Sequence, residues 1–448
     1  RRNTSGQTLM GAVVGQANIP FQGKLYRLTR KNFAGNLEAM LAMCRRAGVP
    51  VVLSRLVSNV KDLPPLSQIS PADLTPPLLA ARDSLYDEGK RELGKNAAGK
   101  ALLALRAAAE IDSLHPGICY FLGRALLATG QPRRAAHWLR RARDLDGLRF
   151  RATGDFSLLI DSLARAFRLP VVDMPAVFAR HSPHGIPGDE LICDHLHPNP
   201  DGYFLMARAF YQTLVRSHLL RAAPRHFQMP NHPVFVTDLD WNIGLVKIFP
   251  MMRRWPFPTR PVDWQEFQPY GDPYSAQIAR WYVFEENIWS KAHYRMAEHY
   301  QKQGQLDRAL REYQAVHFYA PLELYPILRL VDLTGKLQDW PAQAAYLRQA
   351  LQLSPKKALL YYQLALNLWH QQNYPAAIRM MEKVLRQPEF TPQQRQNAWF
   401  YLAGFYVDAG RPERAVAILK MLLRASPNFK PARQFLDQLL HGKGLSKR

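Results

Sequence analysis

Asp194, His195 and His197 fall within one short polar stretch, Cys193-Asp194-His195-Leu196-His197-Pro198-Asn199-Pro200-Asp201-Gly202. An aspartate three residues ahead of a histidine, on a loop closed by prolines and a glycine, can bring a carboxylate against an imidazole. The carboxylate then fixes the ring tautomer and stabilises the imidazolium, which is the acid–base half of Ser-His-Asp acyl transfer. His197 is the candidate general base and later general acid, oriented by Asp194. The alternative is a surface loop with a helix-capping aspartate and a solvated histidine. Cys193, His195 and His197 also have metal-binding side chains and share one face of an extended chain. A catalytic zinc needs three converging ligands, and nothing makes this loop extended enough, so no metal is expected. His181 and His184 read as polar loop residues that could line a pocket.

The flanking elements must position this loop. Asn32 to Ala47 has a helical stripe at Phe33, Leu37, Met40, Leu41 and Cys44, ended by Gly48. Val51-Val52-Leu53, with Leu56 and Val57, predicts a buried strand of a parallel sheet. It runs into a polar loop stopped by Pro64 and Pro65. Asn59 and Asp62, at the carboxyl end of that strand, are candidate substrate-binding residues. A side-chain-capped turn is the competing reading for both. A second helix over Phe156 to Leu169 precedes a strand over Pro170 to Met174. A last helix over Tyr203 to Leu220 follows the Asp-His loop.

Between these pieces the pattern changes to a 34-residue period. Ala101 and Ala135 are one period apart, as are Ala108 and Ala142, in a segment running from about Arg82 to residue 148. The period resumes from 290 to 440, with Ala297, Tyr300, Ala309 and Tyr313 in a first unit and Leu347, Ala350 and Pro355 in a degenerate second. A third carries Leu364, Ala365, Ala377 and Met381, a fourth Leu402, Ala403, Ala415 and Leu419, and a helix near Pro431 to Leu440 caps the end. Small residues at these places let two antiparallel helices approach closely, and both period and pattern resemble the tetratricopeptide repeat. Three or more such units make a self-supporting solenoid with a concave groove for a protein partner. Residues 222 to 284, rich in Pro, Trp and Phe, are expected to be an irregular strap.

Composition bounds the rest. The chain has 448 residues, 47% of them hydrophobic, enough for two or three domains. No run of about 18 uncharged apolar residues predicts a membrane span. Cys44, Cys119 and Cys193 are too scattered for a disulfide framework or zinc site, and Cys44 and Cys119 are expected to be buried thiols. Lys and Arg number 59 against 36 Asp and Glu, a net charge of +23. The basic residues are interspersed, which argues for solvated helix faces and against specific nucleic-acid binding. Contact with an anionic membrane surface stays open.

The Asp194-to-Pro198 segment, followed by Gly202 and an amphipathic helix, resembles the last motif block of SGNH (GDSL-type) hydrolases. The arrangement is similar to bacterial proteins that fuse such a domain to tetratricopeptide repeats. The resemblance implies Asp194 and His197 as catalytic residues, no cofactor, and hydrolysis of an ester, with lipid or polysaccharide deacylation as candidate reactions. The family's nucleophilic serine and oxyanion residues precede the helix matched by Asn32 to Ala47, and no Gly-Asp-Ser-like block occurs there. The expectation is an N-terminally truncated domain whose nucleophile lies upstream of Arg1, along with any membrane tether. Residues 1 to 20 would be the loop after the missing block. The expected fold is a partial flavodoxin-like α/β sheet (1–76 and 149–222) interrupted by helical repeats (77–148). A linker (223–284) and an all-α tetratricopeptide solenoid (285–442) follow. The competing function is a non-catalytic repeat scaffold carrying a degenerate hydrolase domain, and a third is a basic, membrane-peripheral assembly factor.

Overall fold

The computed structural model describes residues 18–441 apart from 69, 71–72, 221–234, 356 and 389. The loop assigned to residues 1–20 and the first part of the expected strap therefore lie mostly outside the described residues. The chain forms two compact units, residues 1–276 and 277–448.

In the first unit, helix α1 (Lys24–Arg46) starts eight residues before the expected Asn32. Tyr26 supplies the reason. It is buried, and its hydroxyl meets Thr153 and Asp155, both at 2.5 Å. Of the expected stripe only Leu41 is buried, and Met40 is 54% exposed. Strand β1 (Leu53–Ser54) follows. The next four helices are α2 (Pro76–Gly94), α3 (Ala98–Ile111), α4 (Pro116–Ala128) and α5 (Pro132–Leu145). Helix α6 (Gly154–Phe167), strand β2 (Val171–Val172), helix α7 (Met174–His181) and helix α8 (Pro200–Arg216) return the chain to the sheet.

β1 and β2 pair in parallel, Leu53 opposite Val171. This pair is the whole sheet among the described residues. The flavodoxin-like sheet is thus corrected to one short parallel ladder in a mostly helical chain. The ladder is short for local reasons. Asp173 ends β2 by accepting a hydrogen bond from the Ala176 N–H, which caps α7, and Pro175 follows in the first turn. Just past β1 the Arg55 N–H still donates to the Val172 carbonyl at 3.0 Å, while its guanidinium pairs with Asp161 and Asp173 at 2.9 and 2.7 Å. Val172, Met174, Phe178, Ile192 and Leu205 form the core beneath.

The repeat signal translates directly into packing. Ala101, Leu105 and Ala108 on α3 and Ala135, Leu139 and Ala142 on α5 are all at most 1% exposed. Gly89 and Gly123 sit where a Cβ would lie 2.4 and 2.6 Å from the Cγ of Leu105 and Leu139. Each helix pair closes on a glycine for lack of space, the same contact one period later.

Part of the expected strap is helical. α9 (Asp238–Met251) starts from a capping box, Thr237 with Asp240. Leu239, Ile243 and Val246 are buried on one face. Asn242 Nδ2 donates to the Tyr270 carbonyl and Ser275 Oγ, at 2.8 and 2.6 Å, and pins the following segment. Helix α10 (Pro273–Trp281) ends this stretch.

The second unit is a run of helix pairs. They are α11 (Trp289–Lys302) with α12 (Leu306–Tyr319), α13 (Leu324–Lys336) with α14 (Trp340–Leu353), α15 (Ala358–His370) with α16 (Tyr374–Leu385), and α17 (Pro392–Asp408) with α18 (Pro412–Ala425). Helix α19 (Lys430–Leu440) closes the run over Ala415, Leu419 and Leu422. Ala297, Ala309, Ala350, Ala365, Ala377, Ala403 and Ala415 are all fully buried. The degenerate pair, α13 with α14, keeps its core through Leu330, Leu333 and Leu347.

Candidate functional site at the Asp-His loop

The loop bearing Asp194 is stitched at its base. Cys193 N–H donates to the His197 carbonyl at 2.8 Å and Asn199 N–H to the Leu191 carbonyl at 2.9 Å. Asn199 then caps α8, its Oδ1 accepting from the Gly202 N–H at 3.0 Å. A Cβ on Gly202 would lie 2.3 Å from the Leu191 carbonyl oxygen. Glycine is required here by contact, since its helical backbone suits any residue. Gly202→Ala is expected to lower the stability of this unit by about 1–3 kcal/mol, read as an earlier urea midpoint. An unchanged midpoint would show that the loop shifts freely.

Inside the loop, Asp194 Oδ1 accepts from the N–H groups of Leu196 and His197, each at 2.8 Å. Its Oδ2 lies 2.7 Å from His197 Nδ1. That leaves Nε2 as the ring nitrogen not engaged by Asp194. The His197 side chain is 57% exposed and that of Asp194 10%. His195 is buried, with Nδ1 3.4 Å from the same carboxylate oxygen and its ring edge-on to Phe150 at 5.6 Å. Asp194, His195 and His197 therefore converge on one point. Cys193 does not join them, and burial pushes its thiol up to about 11, so it stays protonated near neutral pH.

Burial opposes ionisation of Asp194. The His195 ring, the two backbone N–H groups and His197 outweigh it, and the carboxyl is held well below the usual carboxylate range. The sign follows. A depressed folded-state pKa contributes stability that is complete above the unfolded value of about 3.9 and is lost as pH falls from there through the lower folded value. Asp194→Asn should therefore flatten the acid limb of a stability–pH curve below about pH 5. An unchanged limb in thermal melts would contradict the environment described.

Asn59 and Asp62 are committed to bracing. Asn59 Oδ1 accepts from the N–H groups of Asp62 and Leu63, at 3.0 and 3.3 Å, and its Nδ2 donates to Asp189 at 2.6 Å. The Asn59 N–H donates to the His195 carbonyl at 3.0 Å, tying this loop to the Asp-His loop. Asp62 pairs with Arg124 of α4 at 2.7 Å and accepts from the Asp189 N–H at 3.0 Å. These are the contacts of a capped turn. His181 and His184 are exposed, His181 Nδ1 lying 2.9 Å from the Val177 carbonyl.

The residue missed by sequence reasoning is Arg151. Its side chain is 1% exposed. It donates to the carbonyls of Asn59 and Leu63 at 2.9 Å and pairs with Asp146 at 3.1 Å. One arginine among 59 basic residues carries no local signature. Beside it opens a cavity of about 420 Å³, lined by Phe33, Leu56, Val57, Arg149, Phe156 and Leu196 among others.

Two stretches match a known family model, residues 116–141 and residues 362–428. Both fall on helix pairs closed by buried alanines. These segments are tetratricopeptide repeats. Three solved structures illustrate the likeness. MamA from Desulfovibrio magneticus RS-1 is 17% identical, covering 36% of this chain and 88% of its own, with a TM-score of 0.30. YrrB, described as a TPR protein with an unusual peptide-binding site, is 16% identical, covering 36% and 79%, with a TM-score of 0.30. A thermophilic TPR protein of Thermus thermophilus is 19% identical, covering 38% and 90%, with a TM-score of 0.28. No curated protein sequence matches the chain. Among the described residues no helix is long and apolar enough to cross a membrane.

Proposed function

We propose that this protein is a scaffold whose tetratricopeptide repeats bind a protein partner. The observation that carries the reading is a pair of exposed apolar residues at equivalent repeat positions. Tyr325 and Leu359, 48% and 53% exposed, are each the second residue of the first helix in a pair, on α13 and α15. A cavity of about 180 Å³ opens between those helices, bordered by Leu328, Val331, Lys357 and Leu359. The two stand one period apart on neighbouring pairs and remain about half exposed, and peptide side chains would cover them. The test is an immobilised array of randomised peptides probed with purified protein. Tyr325→Glu with Leu359→Glu is expected to abolish retained peptides without lowering the melting temperature. Undiminished binding by the double variant would defeat the reading.

The Asp194–His197 contact favours a second reading, in which the loop is the acid–base half of an SGNH-type esterase acting on an ester substrate. It is supported by the 2.7 Å contact, the ionised Asp194 and the exposed His197 ring. His197 Nε2 would take the proton of a serine hydroxyl and return it to the leaving alcohol. The serine would come from outside the motifs of this sequence. In the longest form translated from the gene, His197→Ala should slow 4-nitrophenyl butyrate hydrolysis at least about a hundredfold. Equal rates in the two forms would sink this reading.

A further inference from the structure

Helix α1 packs through one side only. Tyr26 and Leu41 are its buried residues, and Phe33 meets the Phe156 ring edge-on at 5.1 Å. A second apolar set lies on the side turned away from them. At about 100° per residue, Leu25, Leu28, Ala39 and Met43 fall within about 60° of one another, with Met40 at the edge of the set. Leu25, Leu28, Met40 and Met43 are 40%, 51%, 54% and 60% exposed. The strip runs about 27 Å along the helix. Single exposed apolar residues are ordinary. Several along one side of a helix whose core contacts lie elsewhere mark a docking face.

The charge on this helix says what docks there. Lys24, Arg27, Lys31, Arg45 and Arg46 are exposed, and Glu38 is the one acidic residue of the helix. Arg30 is partly buried and pairs with Asp155 at 3.3 Å. By the same helical rotation, Lys24, Lys31 and Arg46 border the apolar set on one side. Arg27 and Arg45 lie beyond them, with Glu38 in the same flank. Asn32 and Asn36 interrupt the strip at mid-helix, so its apolar groups sit toward the two ends and suit shallow insertion. A second copy of this chain would set the same cations against themselves in a symmetric contact. Nucleic acid would leave the leucines and methionines in water, since the strip offers no aromatic ring for a base to stack on. An anionic bilayer surface takes both kinds of group. Its phosphates meet the lysines and arginines, and its acyl boundary receives the apolar side chains. The excess of 59 basic over 36 acidic residues in the whole chain acts in the same direction.

From this we propose that α1 docks the protein on an anionic lipid surface. The helix lies in the plane of the interface, with Leu25, Leu28 and Met43 inserted and Lys24, Lys31 and Arg46 on the lipid phosphates. The inference rests on α1 alone and needs neither functional reading above. The test uses the full chain and sedimentation with vesicles of phosphatidylglycerol and phosphatidylcholine in equal parts. Binding is expected to be at least about tenfold tighter than to phosphatidylcholine alone, and to weaken at least about tenfold between about 0.05 and 0.5 M NaCl. Leu28→Gln with Met43→Gln should weaken it about tenfold. That double variant should keep its melting temperature, since both side chains are already more than half exposed and glutamine is a good helix former. Lys24→Gln, Lys31→Gln and Arg46→Gln together should weaken binding more than about tenfold. Arg133→Gln, Arg134→Gln and Arg140→Gln remove the same charge from exposed positions on α5. Their combination should change binding less than about twofold. An equal loss in the α5 variant would assign the attraction to net charge and overturn the proposal. So would equal binding to phosphatidylcholine alone, no binding to the mixed vesicles, or full affinity in the Leu28 and Met43 double variant. A lowered melting temperature in that double variant would place this face against protein and overturn it as well. Because the readout is vesicle binding, neither a failed esterase assay nor lost peptide binding touches it.

Discussion

Arg151→Ala is expected to destabilise the first unit by about 3–5 kcal/mol, the cost of breaking a buried ion pair by removing one partner. The side chains of Arg151 and Asp146 are 1% and 3% exposed, so water cannot replace the lost contact. The arginine also satisfies the carbonyls of Asn59 and Leu63. The substitution therefore orphans these two carbonyls and removes the charge partner of Asp146. Asp146 keeps some partners, since it also accepts from the N–H groups of Leu66, Ser67 and Leu148. The consequence reaches the site, because Asn59 holds the His195 carbonyl. Urea unfolding gives the magnitude, and hydrogen exchange over residues 59–64 should rise well before the midpoint. A loss below about 1 kcal/mol would place the pair in the class of exposed salt bridges and refute its role as the pin of this loop.

The second large effect belongs to the solenoid. His293 on α11 and Glu312 on α12 are 0% and 1% exposed, with Nδ1 and Oε2 2.5 Å apart. Charge-capable groups are rarely this buried unless paired. Glu312→Ala removes the hydrogen-bond partner of the histidine and leaves a cavity, and is expected to cost about 3–5 kcal/mol. Glu312→Gln retains an acceptor of the same shape and should cost about 1 kcal/mol. The ratio between the two variants is the informative quantity, since a cavity effect alone would leave Gln harmless and Ala only mildly worse. Equal losses would mean that charge, and not the hydrogen bond, is what the site requires. Circular dichroism melts suffice, because the second unit is almost wholly helical.

The repeats were legible because their signal is periodic. A small residue every 34 positions records a close helix approach that must recur, and Ala101 with Ala135 illustrates it. The pairing of Asp194 with His197 was legible for a different reason. A three-residue separation on a turn leaves little conformational freedom, so local geometry carries the contact. The sheet was not legible. The apolar runs at 51–57 and 170–174 contain the two strands, Leu53–Ser54 and Val171–Val172, but sequence cannot say how many hydrogen-bonded partners a strand will find. Here Asp173 and Pro175 stop β2 after two residues. The helix α9 is hidden in the sequence because the proline and aromatic content around it masks the capping box of Thr237 and Asp240.

By itself the sequence determined the repeat period, the helix pairs it implies, and an aspartate within reach of a histidine. All three are properties of residues close in the chain or repeated along it. Only the tertiary structure decided that Asn59 and Asp62 are spent on bracing and that Arg151 is buried as their pin. Those facts join residues about ninety positions apart, such as Asn59 and Arg151. Burial and partner choice at that separation are settled by packing, and no local pattern of residue types encodes them.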